Sequence, residues 1–118
     1  MKRSDRVILQ KMTAYCEDID MIMDRFGRSF SDYEADIAYQ YAVSMCVIQI
    51  GELVSRLSDE TLAAAKHIPW RAIRGMRNIY AHNYEKTKPE TVWQTLIEDI
   101  PVLEKQLQTI LDETTEDE

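Results

Sequence analysis

Residues 36–57 read DIAYQYAVSMCVIQIGELVSRL, and this stretch decides the fold class. Val43, Val47, Ile50, Val54 and Leu57 recur at steps of four and three, the repeat of one helix face. Ala38, Tyr41, Met45 and Ile48 form a second stripe beside the first, and Asp36 offers a cap at the start. A helix apolar on two faces has to cover both, in a core or against another chain. Glu52 continues the second stripe, directly after Gly51. A carboxylate in line with apolar residues is costly to bury alone. Glu52 therefore either meets a cation from the arginine-rich segment downstream or lies exposed at the stripe's edge.

The flanking sequence is helical as well. Ile8, Met12, Tyr15, Ile19, Ile22 and Phe26 predict a helix from about Ser4 to Phe26. Ser4 is its expected cap, and Gly27 ends it in a left-handed conformation. Ser31 and Glu34 form a candidate capping box for a short helix, and Ser58-Asp59-Glu60 starts another that ends near Lys66. Pro69 opens a helix carrying Trp70, Ile73 and Met76 or Arg77. Thr87 and Glu90 form a second candidate box ahead of Trp93, Leu96, Ile100, Leu103, Leu107 and Ile110, with Pro101 expected to kink or pinch that last helix. No alternating strand pattern, repeat, glycine-rich phosphate loop or linker interrupts this series. The expected fold is all-α: an antiparallel four-helix bundle with short extra helices. Residues 1–111 form its single domain, and 112–118 an acidic, disordered tail.

Composition narrows the function. The chain has 118 residues, 45% of them apolar and 30% charged, with three Gly and three Pro, enough for one domain with a real core. No apolar run approaches the roughly 20 residues of a membrane span, and Met1–Asp5 does not begin a signal segment, so the expected location is cytoplasmic with no membrane partner. Cys16 and Cys46 fall within helical patterns and read as reduced packing residues; a zinc site made of them with His67 and His82 lacks any close ligand pair. His67 reads as a surface residue. The net charge of −7 argues against a general nucleic-acid coat. The charge is uneven, however. Lys66, Arg71, Arg74, Arg77, Lys86 and Lys88 face one acid, Glu85, in a single segment, which suits a small anionic site.

Within that segment, Gly75-Met76-Arg77-Asn78-Ile79-Tyr80-Ala81-His82-Asn83-Tyr84 carries the candidate chemistry. Arg77 offers a permanent charge and a planar fork of donors that matches phosphate oxygens. His82 is the residue type whose proton moves near neutral pH. RNA brings its own nucleophile, the 2′-hydroxyl. Cleavage then needs a base, an acid and stabilisation of the phosphorane charge, which His82 and Arg77 can supply without a metal or other cofactor. On an ideal helix the two residues lie about 140° apart. They converge in one chain only if the helix unwinds before His82, as Asn83, Thr87 and Pro89 suggest. One histidine is sparse for acid–base work, and a twofold homodimer would bring two copies of each residue to one cleft.

Ile50-Gly51-Glu52, Ile68-Pro69-Trp70-Arg71, Gly75-Met76-Arg77-Asn78, Ala81-His82-Asn83-Tyr84 and Val92-Trp93 together resemble, in order, the HepT-like HEPN proteins. That family's signature of Arg, four residues, His, any residue and Tyr falls on Arg77, His82 and Tyr84. The resemblance implies a dimeric HEPN fold and a metal-independent endoribonuclease with Arg77 and His82 catalytic and Glu52, Asn78 and Asn83 supporting. It further implies the toxin of a type VII toxin–antitoxin pair, acting on RNA. Its antitoxin partner is a minimal nucleotidyltransferase that transfers AMP onto Tyr84. The chain departs from the common form in having Asn83 where Asp is usual and Leu53-Val54 where small residues follow Gly-Glu. A non-catalytic helical adaptor that binds a nucleotidyltransferase or a nucleotide is the alternative reading.

Overall fold

A computed structural model describes residues 1–114, and its regular structure is helical throughout, with no strand among the described residues. Helix α1 spans Arg3–Phe26, α2 Phe30–Ala35, α3 Ile37–Val54, α4 Asp59–Ala64 and α5 Trp70–His82. A single 3₁₀ turn, Tyr84–Lys86, leads to α6, Pro89–Gln94. A π-helical segment, Thr95–Asp99, joins α6 to α7, Ile100–Glu113. The expected all-α bundle is what forms. Asp112 and Glu113 of the expected tail are helical, and 115–118 lie outside the described residues.

The two-striped stretch is the centre of the bundle. Helix α3 packs against both α1 and α5, and α1 packs on its other flank against α7. Val43, Val47, Ile50 and Val54 of the first stripe are fully buried, meeting Leu9, Met12 and Ile19 of α1 in the same core. Helix α3 is long and apolar enough to cross a membrane by length and composition, but half of it is buried in this fold. Of the second stripe, Ile48 is half-buried against the core, but Ala38, Tyr41 and Met45 are exposed, Tyr41 and Met45 at 65% and 57%, with Ile37 beside them at 59%.

Local chemistry sets the helix ends, not always as the sequence suggests. Gly27 stops α1 with φ +120°, and a side chain there would run into the Asp32 carboxylate. Ser4 is not the cap of α1, which begins at Arg3 with Lys2 at the cap position and no side-chain cap bond. Ser29, not Ser31, caps α2, accepting from the Asp32 amide at 3.2 Å. Asp36 caps α3 as expected, accepting from the Ala38 amide at 2.9 Å. The Thr87–Glu90 box does not form. Thr87 instead donates its hydroxyl to the Tyr84 carbonyl at 2.6 Å, and α6 starts with no side-chain cap bond. Pro101 sits in the first turn of α7, where its ring would crowd the carbonyl four residues back; the π-helical segment before it widens the turn there.

At the other end of the bundle, α1 is tied to its neighbours by polar side chains. Arg6 donates to the Leu111 and Thr114 carbonyls at 3.0 and 3.1 Å, serving acceptors that the end of α7 leaves free. Asp5, 2% exposed, accepts from the Ser58 amide at 3.0 Å, from the Thr61 hydroxyl at 2.8 Å and from the Ser58 hydroxyl. Burial alone would push the Asp5 carboxyl up, but these bonds hold it below its ordinary value.

Candidate functional site

Gly51 brings α5 onto α3. A Cβ at this position would lie 2.5 Å from the Arg77 Cβ and 3.1 Å from the Ile73 carbonyl oxygen, so only hydrogen allows the two helices this separation. Trp70, Ile73 and Tyr80 of α5 are buried, and Arg77 falls on the same side at helical spacing, facing α3 at the rim of the core. It meets Glu52, one residue after Gly51. Arg77 Nε donates to Glu52 Oε1, with the two side chains 35% and 37% exposed. Arg77 Nη1 donates to Asn78 Oδ1 at 3.1 Å. The expected cation for Glu52 is thus Arg77, and Asn78 braces the same guanidinium. Its Nη2 has no hydrogen-bond partner among the described residues, leaving a fixed fork edge towards solvent.

The helix does not unwind before His82. Helix α5 runs through His82 and stops at Asn83, whose amide bonds the Ile79 carbonyl at 2.8 Å. Arg77 and His82 therefore remain about 140° apart around one axis and do not meet in one chain. His82 instead continues an outward face. Arg71, Arg74, Asn78 and His82 follow at steps of three and four, and all four are exposed. Arg71, Arg74, Lys86 and Lys88 form no ion pair with a described residue, so this surface is strongly cationic on a chain of net charge −7. Asn83 is exposed and makes no side-chain hydrogen bond among the described residues; its observed part is to end α5.

Tyr84 lies apart from the Arg77 cluster. Its ring packs on Tyr80 at a centroid distance of 5.8 Å, and its hydroxyl lies 2.7 Å from that of Tyr33. Tyr33 is wholly buried, within an aromatic cluster with Tyr39 and Trp93. The sequence reading missed this partner. A buried tyrosine signals that its hydroxyl needs a mate, but a mate 51 residues away is visible only in the fold.

The two cysteines and two histidines, which lacked a close ligand pair in the sequence, are not brought together in the fold either. Cys16 and Cys46 lie in the core, where burial pushes their thiols up to about 12 and about 11, whereas His67 and His82 are on the surface. A hollow of about 520 Å³ opens between α5 and α7, lined by Pro69, Ile73, Met76, Val102 and Leu103, away from Glu52 and His82. The Arg77 cluster is instead open surface, suited to an extended polyanion rather than an enclosed small molecule.

Comparison with known proteins shows the family of the chain. Residues 13–110 match the family model described as Ribonuclease HepT-like. A "Putative RNase" of Caldanaerobacter subterraneus subsp. tengcongensis is 32% identical over 110 residues, covering 92% of this chain and 96% of that protein. Another "Putative RNase", from Methanocaldococcus jannaschii, is 29% identical over 115 residues, covering 98% and 97%. A "Probable ribonuclease HepT" of Thermococcus cleftensis is 32% identical over 105 residues, covering 87% and 92%. No solved structure is a significant match.

Proposed function

Because this chain belongs to the HepT-like ribonuclease family, we propose that it is a metal-independent endoribonuclease working as a twofold homodimer, with Arg77 and His82 as its catalytic residues. The observation that carries this reading is the braced guanidinium. Glu52 and Asn78 fix Arg77 in place and leave one edge of its fork open, as a group that stabilises a phosphorane must be held. The divergence of Arg77 from His82 makes the second copy necessary, with Arg77 of one protomer meeting His82 of the other. The exposed Ile37, Tyr41 and Met45 stripe supports the same arrangement, since it leads at helical spacing into Glu52 and so to the Arg77 cluster. A second copy seated there covers apolar surface and brings the two clusters towards one axis.

In the reaction, the 2′-hydroxyl of RNA attacks the adjacent phosphorus. Histidine takes its proton or returns one to the departing 5′-oxygen, and Arg77 holds the charge on the non-bridging oxygens. Arg71, Arg74, Lys86 and Lys88 offer a cationic track for the strand. The biological setting that fits is the toxin of a type VII pair in the cytoplasm. Its antitoxin, a minimal nucleotidyltransferase, transfers AMP to Tyr84. An adenylate just past His82 adds bulk and negative charge where RNA approaches.

The same divergence of Arg77 and His82 supports a second reading, a non-catalytic adaptor that binds a nucleotidyltransferase or a nucleotide through Arg77. One assay separates the two. Purified chain incubated with RNA in EDTA is expected to give products with 2′,3′-cyclic phosphate and 5′-hydroxyl ends. Intact RNA under all conditions favours the adaptor, and 5′-phosphate products that need added metal contradict the proposed chemistry.

A further inference from the structure

Tyr84 points the wrong way for a residue that is to be modified. Its hydroxyl rests on that of Tyr33, which is wholly buried and clamped by ring contacts to Tyr39 at 5.3 Å and Trp93 at 5.6 Å. Tyr33 therefore cannot turn outward to follow it. Tyr80 holds the Tyr84 ring, and the Thr87 hydroxyl and amide both bond the Tyr84 carbonyl, at 2.6 and 3.0 Å. Around these contacts the segment is open: Asn83, Glu85, Lys86 and Lys88 are exposed, and its only regular structure is the three-residue 3₁₀ turn. The result is a short connection docked on the bundle through the Tyr84 side chain and held within itself by the Thr87 bonds.

Transfer of AMP requires the phenolic oxygen to leave that position. Tyr84 Oη must form a bond to the α-phosphorus of a nucleoside triphosphate inside a second enzyme, in line with the breaking bond to the bridging oxygen. Pyrophosphate leaves, and the phenolic proton passes to a base of the transferase or to water. In the docked position, the Tyr33 hydroxyl 2.7 Å away occupies one side of that oxygen and the bundle stands against the approach of a second enzyme.

We propose that Tyr33 is a positioning residue that keeps Tyr84 docked on the bundle, so that AMP transfer proceeds only from a state in which the 83–87 segment has swung the ring outward. This rests on the reading of Tyr84 as the AMP acceptor. Burial, with the bond to Tyr84, pushes the Tyr33 phenol well above its ordinary range, so it stays a neutral partner at working pH. The modified residue cannot return. An adenylate on its oxygen has no room against a buried ring. Modification thus leaves Tyr33 without its mate and the segment beside His82 open, a second route to silencing besides blocking RNA.

The test compares wild type with Tyr33→Phe, which keeps the packed ring and removes only the oxygen. In the free protein, acetylation of Tyr84 by N-acetylimidazole, mapped by peptide mass spectrometry, is expected to rise about three- to tenfold, the range that one net hydrogen bond is worth. Tyr41, already exposed, and the buried Tyr39 are expected to keep their wild-type reactivity. In the second arm, the cognate nucleotidyltransferase with ATP and magnesium is expected to modify Tyr84 of Tyr33→Phe faster by a similar factor. AMP on Tyr84 at an equal or lower rate in the variant overturns the dock, as does a rise in reactivity at Tyr39, which would mean general loosening. AMP missing from Tyr84 in both chains removes the acceptor reading, and this inference with it.

Discussion

Asp5 and Glu52 are both carboxylates set among apolar residues of long helices, yet they do opposite work. Asp5 is 2% exposed and fully engaged by Ser58 and Thr61, so it joins α1 to the start of α4 and has nothing left for a ligand. The Glu52 side chain is 37% exposed and engages Arg77 through one edge of the guanidinium. A buried carboxylate with every acceptor used is a fastener. A half-exposed one that orients a cation prepares that cation for something else. Residue type and helical position do not tell them apart; burial and the donors left over do.

The contrast is sharpest in its expected consequences. Arg77→Ala is expected to lower RNA cleavage by about 10²–10³-fold, the usual effect of removing one charge-stabilising donor, while thermal stability changes little. A variant that unfolds instead would make Arg77 a fastener like Asp5. Asp5→Ala is expected to do the reverse. It leaves the half-buried Ser58 and buried Thr61 donors unsatisfied, so urea denaturation should show a loss of about 3 kcal/mol, with cleavage intact under folding conditions.

The Asp5 carboxyl also predicts a pH dependence. Its folded value lies below the ordinary 3.8, so the unfolded chain binds the proton more readily. The stability it contributes is present above about pH 4 and is lost as pH falls through the depressed folded value. Denaturation curves from pH 6 to 2 should therefore show a steeper acid limb in wild type than in Asp5→Ala. Gly51→Ala carries the smallest expected effect, about 2 kcal/mol from overpacking. It should also reduce cleavage, because the Cβ pushes on Arg77 itself. Reduced stability with unchanged cleavage would show that the position of Arg77 tolerates a shift of α5.

Some of this was legible in the sequence for definite reasons. The two stripes of α3 marked it as a helix with two faces to cover, because hydrophobic periodicity is a long-range average that no single residue upsets. Glu52 pointed to a cation because a carboxylate in an apolar line needs one, whereas the close approach of α5 at Gly51 is visible only in the fold. The misreadings were local. Ser29 and Ser31 are equally good caps by type, and backbone direction chose the first. Thr87 had two acceptors in reach and took the Tyr84 carbonyl. Asn83, Thr87 and Pro89 suggested an early end to α5, but the helix continues to His82 because none of them lies inside it. The exposed apolar stripe was legible as a surface needing cover, while the Tyr33–Tyr84 pair depended on a contact that no local pattern records.

The central claim is that one cleavage site takes Arg77 from one protomer and His82 from the other. Co-expressed Arg77→Ala and His82→Ala chains test it directly. Each variant alone is expected to be inactive, because every site in its dimer lacks one residue. Random mixing makes half the dimers hybrid, each with one complete site of two, so the mixture should recover about a quarter of wild-type cleavage. A mixture no more active than the separate variants, or a single variant that cuts at the wild-type rate, would contradict the shared site.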